Sequence, residues 1–147
     1  MLPILACLMA GRATAGTLTV SMAPLSQAIP VNMSAEGDLD WAHYGRFFNA
    51  DYDHKAGVVE QIGKPTQTGT FANFGGAAAL CSWVDGTVDQ AVAGTATGSY
   101  IYPAGSAYQW SIPASTVPVV LHLYVSTYQG GGDLTFTLSD GSAPPVS

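Results

Sequence analysis

The stretch GDLDWAHYG concentrates chemically versatile side chains in a chain in which only 10% of residues are charged. It places Asp38 and Asp40 two positions apart and follows them with Trp41, His43 and Tyr44. Side chains alternate between two faces along a strand, so a strand here would set the two carboxylates side by side and Trp41 with His43 on the other face. Carboxylates bind cations and sugar hydroxyls, so the stretch predicts a binding site.

A calcium site is the first candidate. Calcium takes six to eight oxygen ligands, and the stretch NADYDH supplies Asn49, Asp51 and Asp53 at alternate positions, as acidic calcium loops do. Asp51 and Asp53 are therefore the predicted calcium ligands, and no other cofactor is expected. The glycine and distal glutamate of a full EF-hand loop are missing, which leaves a solvated acidic turn as the alternative.

A glycan site is the second candidate, because flat aromatic rings stack on sugars and neighbouring polar groups take the hydroxyls. The stretch SWVDG repeats the combination of a tryptophan with an aspartate. The predicted ligand-binding residues are Asp40, Trp41, His43, Tyr44, Trp83 and Asp85. The alternative is that the tryptophans, Trp110 included, belong to the core of a β-sandwich, with Trp41 pointing inward from the start of a strand.

Catalysis has less support. None of the three histidines stands in a metal-ligand spacing, and the chain has no serine elbow, phosphate loop or redox cysteine pair. Asp51, Asp53 and Glu60 could pair for glycoside hydrolysis, but any acidic protein offers such pairs. We therefore predict that the protein is not an enzyme.

The elements that must position these residues are β-strands. Alternation is most regular in VVLHLYVSTY, residues 119–128, and in DLTFTLSDG, residues 133–141, and the glycines between them predict a hairpin. TGSYIYPAG and AYQWSIP extend this pattern upstream to a meander. Shorter runs with glycine-bearing turns about every ten residues continue it towards the amino terminus, in IPVNMSAEG, DLDWAHYG, GVVEQIG, GTFANFGG and LCSWVDGT. The sequence predicts an all-β, antiparallel β-sandwich, with residues 16–147 as one domain.

Charge and the amino terminus indicate where the protein works. Four Lys plus Arg against ten Asp plus Glu leave no basic patch, so nucleic acid and anionic membranes are disfavoured partners. An apolar run at 2–10, too short to span a bilayer, precedes Ala13-Thr14-Ala15, which predicts a signal peptide over residues 1–15 whose basic start is clipped. We expect a secreted or cell-surface protein in which Cys81, a small buried hydrophobe, is the remaining cysteine.

Several motifs resemble a module of secreted bacterial proteins whose versions read D-W-x-H-W-G, F-D-H-K-A and S-W-T-D-G-T. They are AEGDLDWAHYG, DYDHKAGVVEQIG, SWVDGT, TATGSYIY, YQWSIPAST and LTFTLSDGSAP, within residues 31–144. The resemblance implies an extracellular jelly-roll sandwich that is often attached to larger surface or carbohydrate-active proteins. Tyr44 stands where the module has a second tryptophan. Members of the family continue with further strands, so the resemblance also implies that this chain lacks its last strands and has an open sheet edge that another chain could fill by strand addition.

These observations predict an extracellular, non-catalytic binding or surface-attachment module for glycans. The alternative is a structural subunit of an extracellular assembly or filament, which the low charge, the hydroxyl-rich faces and the open edge favour.

Overall fold

Strands make up most of the regular structure of the described residues, and one helical turn accompanies them. This computed structural model describes residues 16–24, 27, 30–46, 52–127 and 129–147. The predicted signal peptide and the predicted calcium ligand Asp51 lie outside the described residues.

Two compact units divide the chain. The larger unit covers residues 24–126, and the smaller one combines residues 1–23 with residues 127–147. The expectation of one domain over residues 16–147 stays a prediction.

The regular elements of the described residues all lie in the larger unit. In chain order they are β1 (Val31–Asn32), α1 (Met33–Glu36), β2 (Ala42–Tyr44), β3 (Tyr52–Lys55), β4 (Thr66–Gly75), β5 (Cys81–Trp83), β6 (Gly86–Thr87), β7 (Val92–Thr95) and β8 (Thr97–Gln109).

These strands form three sheets, with strand orders β1-β5-β7, β2-β3-β6 and β4-β8. The β1-β5 pair is parallel, and every other pair is antiparallel. The arrangement confirms the predicted all-β, sandwich-like fold. The jelly-roll strand order and the loss of final strands stay predictions.

The helical turn α1 shows why the predicted strand in IPVNMSAEG is short. The side chain of Asn32 accepts a hydrogen bond from the backbone N–H of Ala35 at 3.2 Å and so caps a turn that ends at Gly37. Asparagine and serine compete with the sheet for backbone hydrogen bonds, which favours a turn directly after β1. The turn buries Met33 against the core.

The core is small and gathers around two tryptophans. It consists of Val31, Met33, Trp41, Ala79, Cys81 and Trp83, and Val92 packs against it. Cys81 is buried, as predicted, and burial raises the pKa of its thiol to about 11. Two aromatic side chains dominate the apolar area, so this core depends on them more than on any aliphatic residue.

The longest pair, β4 with β8, forms a two-stranded ribbon with a register shift between Thr68 and Thr70. Gly69, between them, has a positive φ of 91° and approaches Ser106 so closely that a Cβ would clash. Glycine is therefore required at this bulge. The stretches TGSYIYPAG and AYQWSIP, predicted as separate strands, are joined in the single strand β8 up to Gln109.

The most regular alternation in the sequence does not form strands, so the predicted hairpin of residues 119–128 and 133–141 is wrong. Residues 117–126 have no regular structure and make no backbone–backbone hydrogen bond to a described residue. In the smaller unit, Phe136 forms a single antiparallel bridge with Val146, with N–O distances of 2.8 and 3.0 Å. An alternating sequence becomes a strand only when a neighbour pairs with its N–H and C=O groups.

Candidate functional site

The two tryptophans of the predicted glycan site lie in the core. Trp41 is 3% exposed and Trp83 is 1% exposed, and their ring centroids are 5.1 Å apart. Neither ring offers a face to a sugar in this structure, and Trp41 points inward as expected from a strand start. We call Trp41, Trp83 and the aspartates bonded around them, Asp40, Asp53, Asp85 and Asp89, the Trp–Asp centre.

Asp85 ties three segments of this centre together. Its carboxylate accepts hydrogen bonds from Trp41 Nε1 at 3.0 Å and from the Ser34 hydroxyl, and it forms an ion pair with Lys55 Nζ at 2.9 Å. Lys55 also donates to the carbonyl of Gly37 at 2.9 Å. Burial raises the pKa of Asp85, but the hydrogen bonds from Ser34, Lys55 and Trp41 outweigh it and leave the pKa lowered. The carboxylate is therefore engaged in the fold.

Asp40, 8% exposed, has a similar structural position. One oxygen accepts from the backbone N–H of Trp41 at 2.8 Å, and the other accepts from the N–H groups of Gln61 and Ile62 at 2.6 and 2.8 Å. These bonds hold residues 57–63 in a loop, although GVVEQIG was predicted as a strand. Asp38 is exposed and bonds to the N–H of Leu39, so the two carboxylates do not share a face.

Asp89 and its neighbours close the other side of the centre. Trp83 Nε1 donates to the carbonyl of Asp89 at 2.9 Å, and Asp53 accepts from the N–H of Asp89 at 2.9 Å. Arg46 pairs with the Asp89 carboxylate at 2.5 Å and lies 5.7 Å above the Trp83 ring. Gly86 stands so close to Trp83 and Asp89 that a Cβ would clash with both. The motif SWVDG therefore has a structural reason for its glycine.

His43 is buried beside Trp83, at 5.3 Å between ring centroids. Its Nε2 lies 3.1 Å from the carbonyl of Thr97, which can only accept, so Nε2 carries the proton. Nδ1 is buried and has no hydrogen-bond partner among the described residues. Burial lowers the pKa of His43 and outweighs the opposite effects of Thr97 and Asp53.

Of the two predicted calcium ligands, the structure describes Asp53. Asp53 is 3% exposed and bonds to the backbone of Asp89, as above. Among the described residues, no group of three or more His, Cys, Asp or Glu side chains is arranged to hold a metal ion. Asp51 is not described, so calcium binding at this pair stays a prediction.

Tyr44 lies in a different environment, a row of half-buried rings. Its ring stacks on Tyr52 at 5.5 Å and contacts Trp110 at 6.0 Å, and Trp110 contacts Tyr108 at 5.2 Å. The Tyr44 hydroxyl donates to the carbonyl of Gly63 at 2.6 Å and accepts from Trp110 Nε1 at 3.1 Å. Burial raises the pKa of Tyr44 to about 12. We call Tyr44, Tyr52, Trp110 and Tyr108 the aromatic row.

A shallow groove opens at the end of the ribbon where the aromatic row ends. Its volume is about 190 Å³, and it is lined by Thr66, Gln67, Thr68, Ala107, Tyr108 and Gln109. Gln67 pairs across the strands with Tyr108, and Thr66 pairs with Gln109. The side-chain amides of Gln67 and Gln109 are exposed and bond to no described residue. The groove thus combines one aromatic ring, free amides and hydroxyls, with no charged residue in its lining.

Of the six predicted ligand-binding residues, five belong to the Trp–Asp centre or pack against it, and Tyr44 belongs to the aromatic row. The groove residues lack a local motif, because threonine and glutamine on a strand are ordinary surface residues. The sequence feature that pointed towards this region was the alternation in AYQWSIP, which predicts that Tyr108 and Trp110 lie on one face of a strand.

Within the described part of the chain, no helix has the length and apolar character needed to cross a membrane. Comparisons with family models, curated proteins and solved structures give no match to this chain. The resemblance to a secreted bacterial module therefore stays a prediction.

Proposed function

We propose that this protein is an extracellular, non-catalytic module that binds neutral glycans through the groove at the end of the β4-β8 ribbon. The observation that carries the proposal is the composition of the groove. Sugars are recognised by an aromatic ring together with a few well-placed hydrogen-bonding groups. Tyr108 supplies the ring, and Gln67, its cross-strand partner on the same face of the ribbon, supplies an amide that can both donate and accept.

The absence of charged residues from the groove lining favours a neutral ligand over an acidic one. A buried or clustered cation would select uronic acids or phosphates, because charge-assisted hydrogen bonds are the stronger ones. Uncharged amides and hydroxyls match sugar hydroxyls without such a preference.

The non-catalytic part of the proposal is supported by the engagement of the buried carboxylates. Asp40, Asp53 and Asp85 each accept hydrogen bonds from the fold. A general acid or base must be within reach of substrate protons, and these groups lie in the Trp–Asp centre and do not line the groove. The extracellular part is supported by the low charge and by the predicted signal peptide.

A titration with soluble polysaccharides tests the glycan proposal. The whole chain is titrated with a β-glucan, a xylan and a polyuronate while tryptophan fluorescence is recorded. Trp110 is the half-buried tryptophan nearest the groove, at 5.2 Å from Tyr108, so its emission should change on binding. We expect saturable binding of a neutral polymer and weaker binding of the polyuronate.

Matched variants locate the site. Gln67→Ala should weaken binding about fivefold to tenfold, since a lost hydrogen bond is worth about 1 kcal/mol. Gln90→Ala is the control, because Gln90 is also exposed and lies outside the groove. An equal effect of both substitutions, or no saturable binding by the folded protein, would contradict the proposal.

A second candidate function is supported by a different region. Residues 117–126, which we call the apolar segment, expose Val117, Val119, Val120, Leu121, Leu123, Tyr124 and Val125, between 37% and 77% each. An exposed apolar patch with unpaired backbone is a template for pairing with another chain. We propose that the protein self-associates through this segment, as a structural subunit would.

Sedimentation of the whole chain over a range of concentrations tests this second function. Val120→Lys should raise the dissociation constant at least about tenfold, because a buried unpaired ammonium costs well over 1.4 kcal/mol. Val59→Lys is the matched control, since Val59 is 79% exposed and Val120 is 77% exposed. A monomer at every concentration, or an equal effect of both lysines, would contradict self-association.

A further inference from the structure

The apolar segment has a sequence feature that specifies how two copies would meet. Around His122 the sequence VVLHLYV, residues 119–125, reads almost the same in both directions. We propose that the apolar segments of two copies pair as antiparallel strands about a two-fold axis at His122. This inference rests on the proposed self-association. It adds that the partner is a second copy of the chain and that the two strands align with residue 122 opposite residue 122.

The near-palindrome makes the pairing self-complementary. In this register Leu121 faces Leu123 of the partner subunit, and Val119 faces Val125 of the partner subunit. Val120 faces Tyr124 of the partner subunit, an aliphatic–aromatic pair that is favourable across strands. A two-fold interface uses the same patch on both copies, so it requires a segment that complements itself.

The backbone of the segment is available for such pairing. The N–H of Val117 bonds to the Ser115 hydroxyl at 3.2 Å, but the N–H and C=O groups of residues 118–126 make no hydrogen bond to a described residue. Unpaired backbone groups gain most from a second strand when the surrounding side chains exclude water. Pro118, which has no N–H to donate, stands at the end of the segment, where a strand tolerates it.

Charge does not oppose the approach of a second copy at this place. The stretch from Gln90 to Gly132 contains no Asp, Glu, Lys or Arg, although the whole chain has a net charge of −6. Natural edge strands are commonly protected by lysine or by inward-pointing charges, and this segment has neither. Glu36 is the charged group that contacts it, through the Tyr124 hydroxyl and at 3.6 Å from His122 Nδ1.

Side-chain exposure leaves room for a partner on both faces. Val120 is 77% exposed on the face that carries His122 and Tyr124, and Leu121 is 44% exposed on the other face. Apolar side chains at both positions would therefore be removed from water when two copies pair. We therefore expect a dimer with a two-fold axis, in contrast to the filament that the sequence left as an alternative.

Single cysteine variants test the register, because only a residue near the axis meets its own copy. His122→Cys should form a disulfide-linked dimer under mild oxidation, since the two copies of residue 122 face each other. Val119→Cys is the matched control, because its copies lie about six residues apart along the paired strands, or roughly 20 Å. The native Cys81 is buried, and both variants are compared with the unsubstituted chain.

The outcomes separate the register from self-association itself. Linkage of His122→Cys at least about tenfold faster than that of Val119→Cys supports the register. Equal linkage of both variants, faster linkage of Val119→Cys, or no linkage in a chain that sediments as a dimer would overturn the register and leave self-association standing. A chain that stays monomeric in sedimentation would overturn both.

Discussion

The Trp–Asp centre and the apolar segment differ in how completely their groups are satisfied. Every aspartate of the centre accepts hydrogen bonds or forms an ion pair, and both tryptophan N–H groups donate. The apolar segment exposes seven large apolar side chains, and its backbone makes no backbone–backbone hydrogen bond to a described residue. The comparison shows that motif-like clusters of acids and aromatics can be fully engaged in a fold, while ordinary apolar sequence is left available for contacts.

The largest difference should appear on truncation of a side chain in each region. Trp83→Ala removes the most buried residue of a small core and should lower the free energy of unfolding by about 3–5 kcal/mol. Leu121→Ala removes a side chain that is 44% exposed and should cost under about 0.5 kcal/mol in the monomer. Urea denaturation at low protein concentration measures both. Similar losses would break the distinction between the two regions.

Removal of a hydrogen-bonding group should give the next largest difference. Asp85→Asn takes the charge from a carboxylate that bonds Trp41, Ser34 and Lys55, and should cost about 1–3 kcal/mol. Tyr124→Phe removes a hydroxyl that donates to Glu36 on the surface, and should cost under about 0.5 kcal/mol. Thermal unfolding at neutral pH compares them, and an equal loss would mean that Asp85 is not a tie between segments.

Because the folded-state pKa of Asp85 is lowered, its contribution is present at neutral pH and is lost as the pH falls through that pKa. As the pH falls, the unfolded chain, in which this carboxyl group has a pKa of 3.8, takes up the proton before the folded chain does. The stability difference between the parent chain and Asp85→Asn should therefore shrink below about pH 4. A difference that stays constant from pH 7 to pH 2 would contradict the assigned hydrogen bonds.

The smallest effect concerns His43, which packs against Trp83 of the Trp–Asp centre. The pKa of buried His43 is lowered in the folded state, so the unfolded chain takes up a proton first as the pH falls through 6.5. Stability should therefore decline between about pH 7 and pH 5, and His43→Gln, which keeps a donor for the Thr97 carbonyl, should flatten the decline. Gln90→Ala, at an exposed site without a titratable group, is the control and should leave the slope unchanged. Chemical denaturation at several pH values measures these slopes.

Local sequence predicted the fold class but not the use of each stretch. Glycine-bearing turns between short alternating runs were sufficient to predict an all-β chain, and the alternation was sufficient to predict strands in the regions of β4 and β8. The roles of Asp85 and Asp40 could not be predicted, because their donors lie 44 and 21 residues away along the chain. Residues 119–126 look most like a strand, yet a strand also needs a neighbour, which periodicity does not supply.

The groove also escaped prediction for a tertiary reason. It exists because β4 pairs with β8, which places Thr66 opposite Gln109, 43 residues later. Neither strand carries a binding motif alone. The aromatic residues that the sequence favoured for sugar contact, Trp41 and Trp83, are the ones that the core requires.

A fluorescence titration of the whole chain with a soluble neutral β-glucan, in which Gln67→Ala is compared with Asp85→Asn, decides between the groove and the Trp–Asp centre. We expect saturable binding that Gln67→Ala weakens and that Asp85→Asn preserves, at a temperature where both variants are folded. Binding that survives Gln67→Ala and is lost in folded Asp85→Asn would contradict binding at the groove and place the site at the Trp–Asp centre.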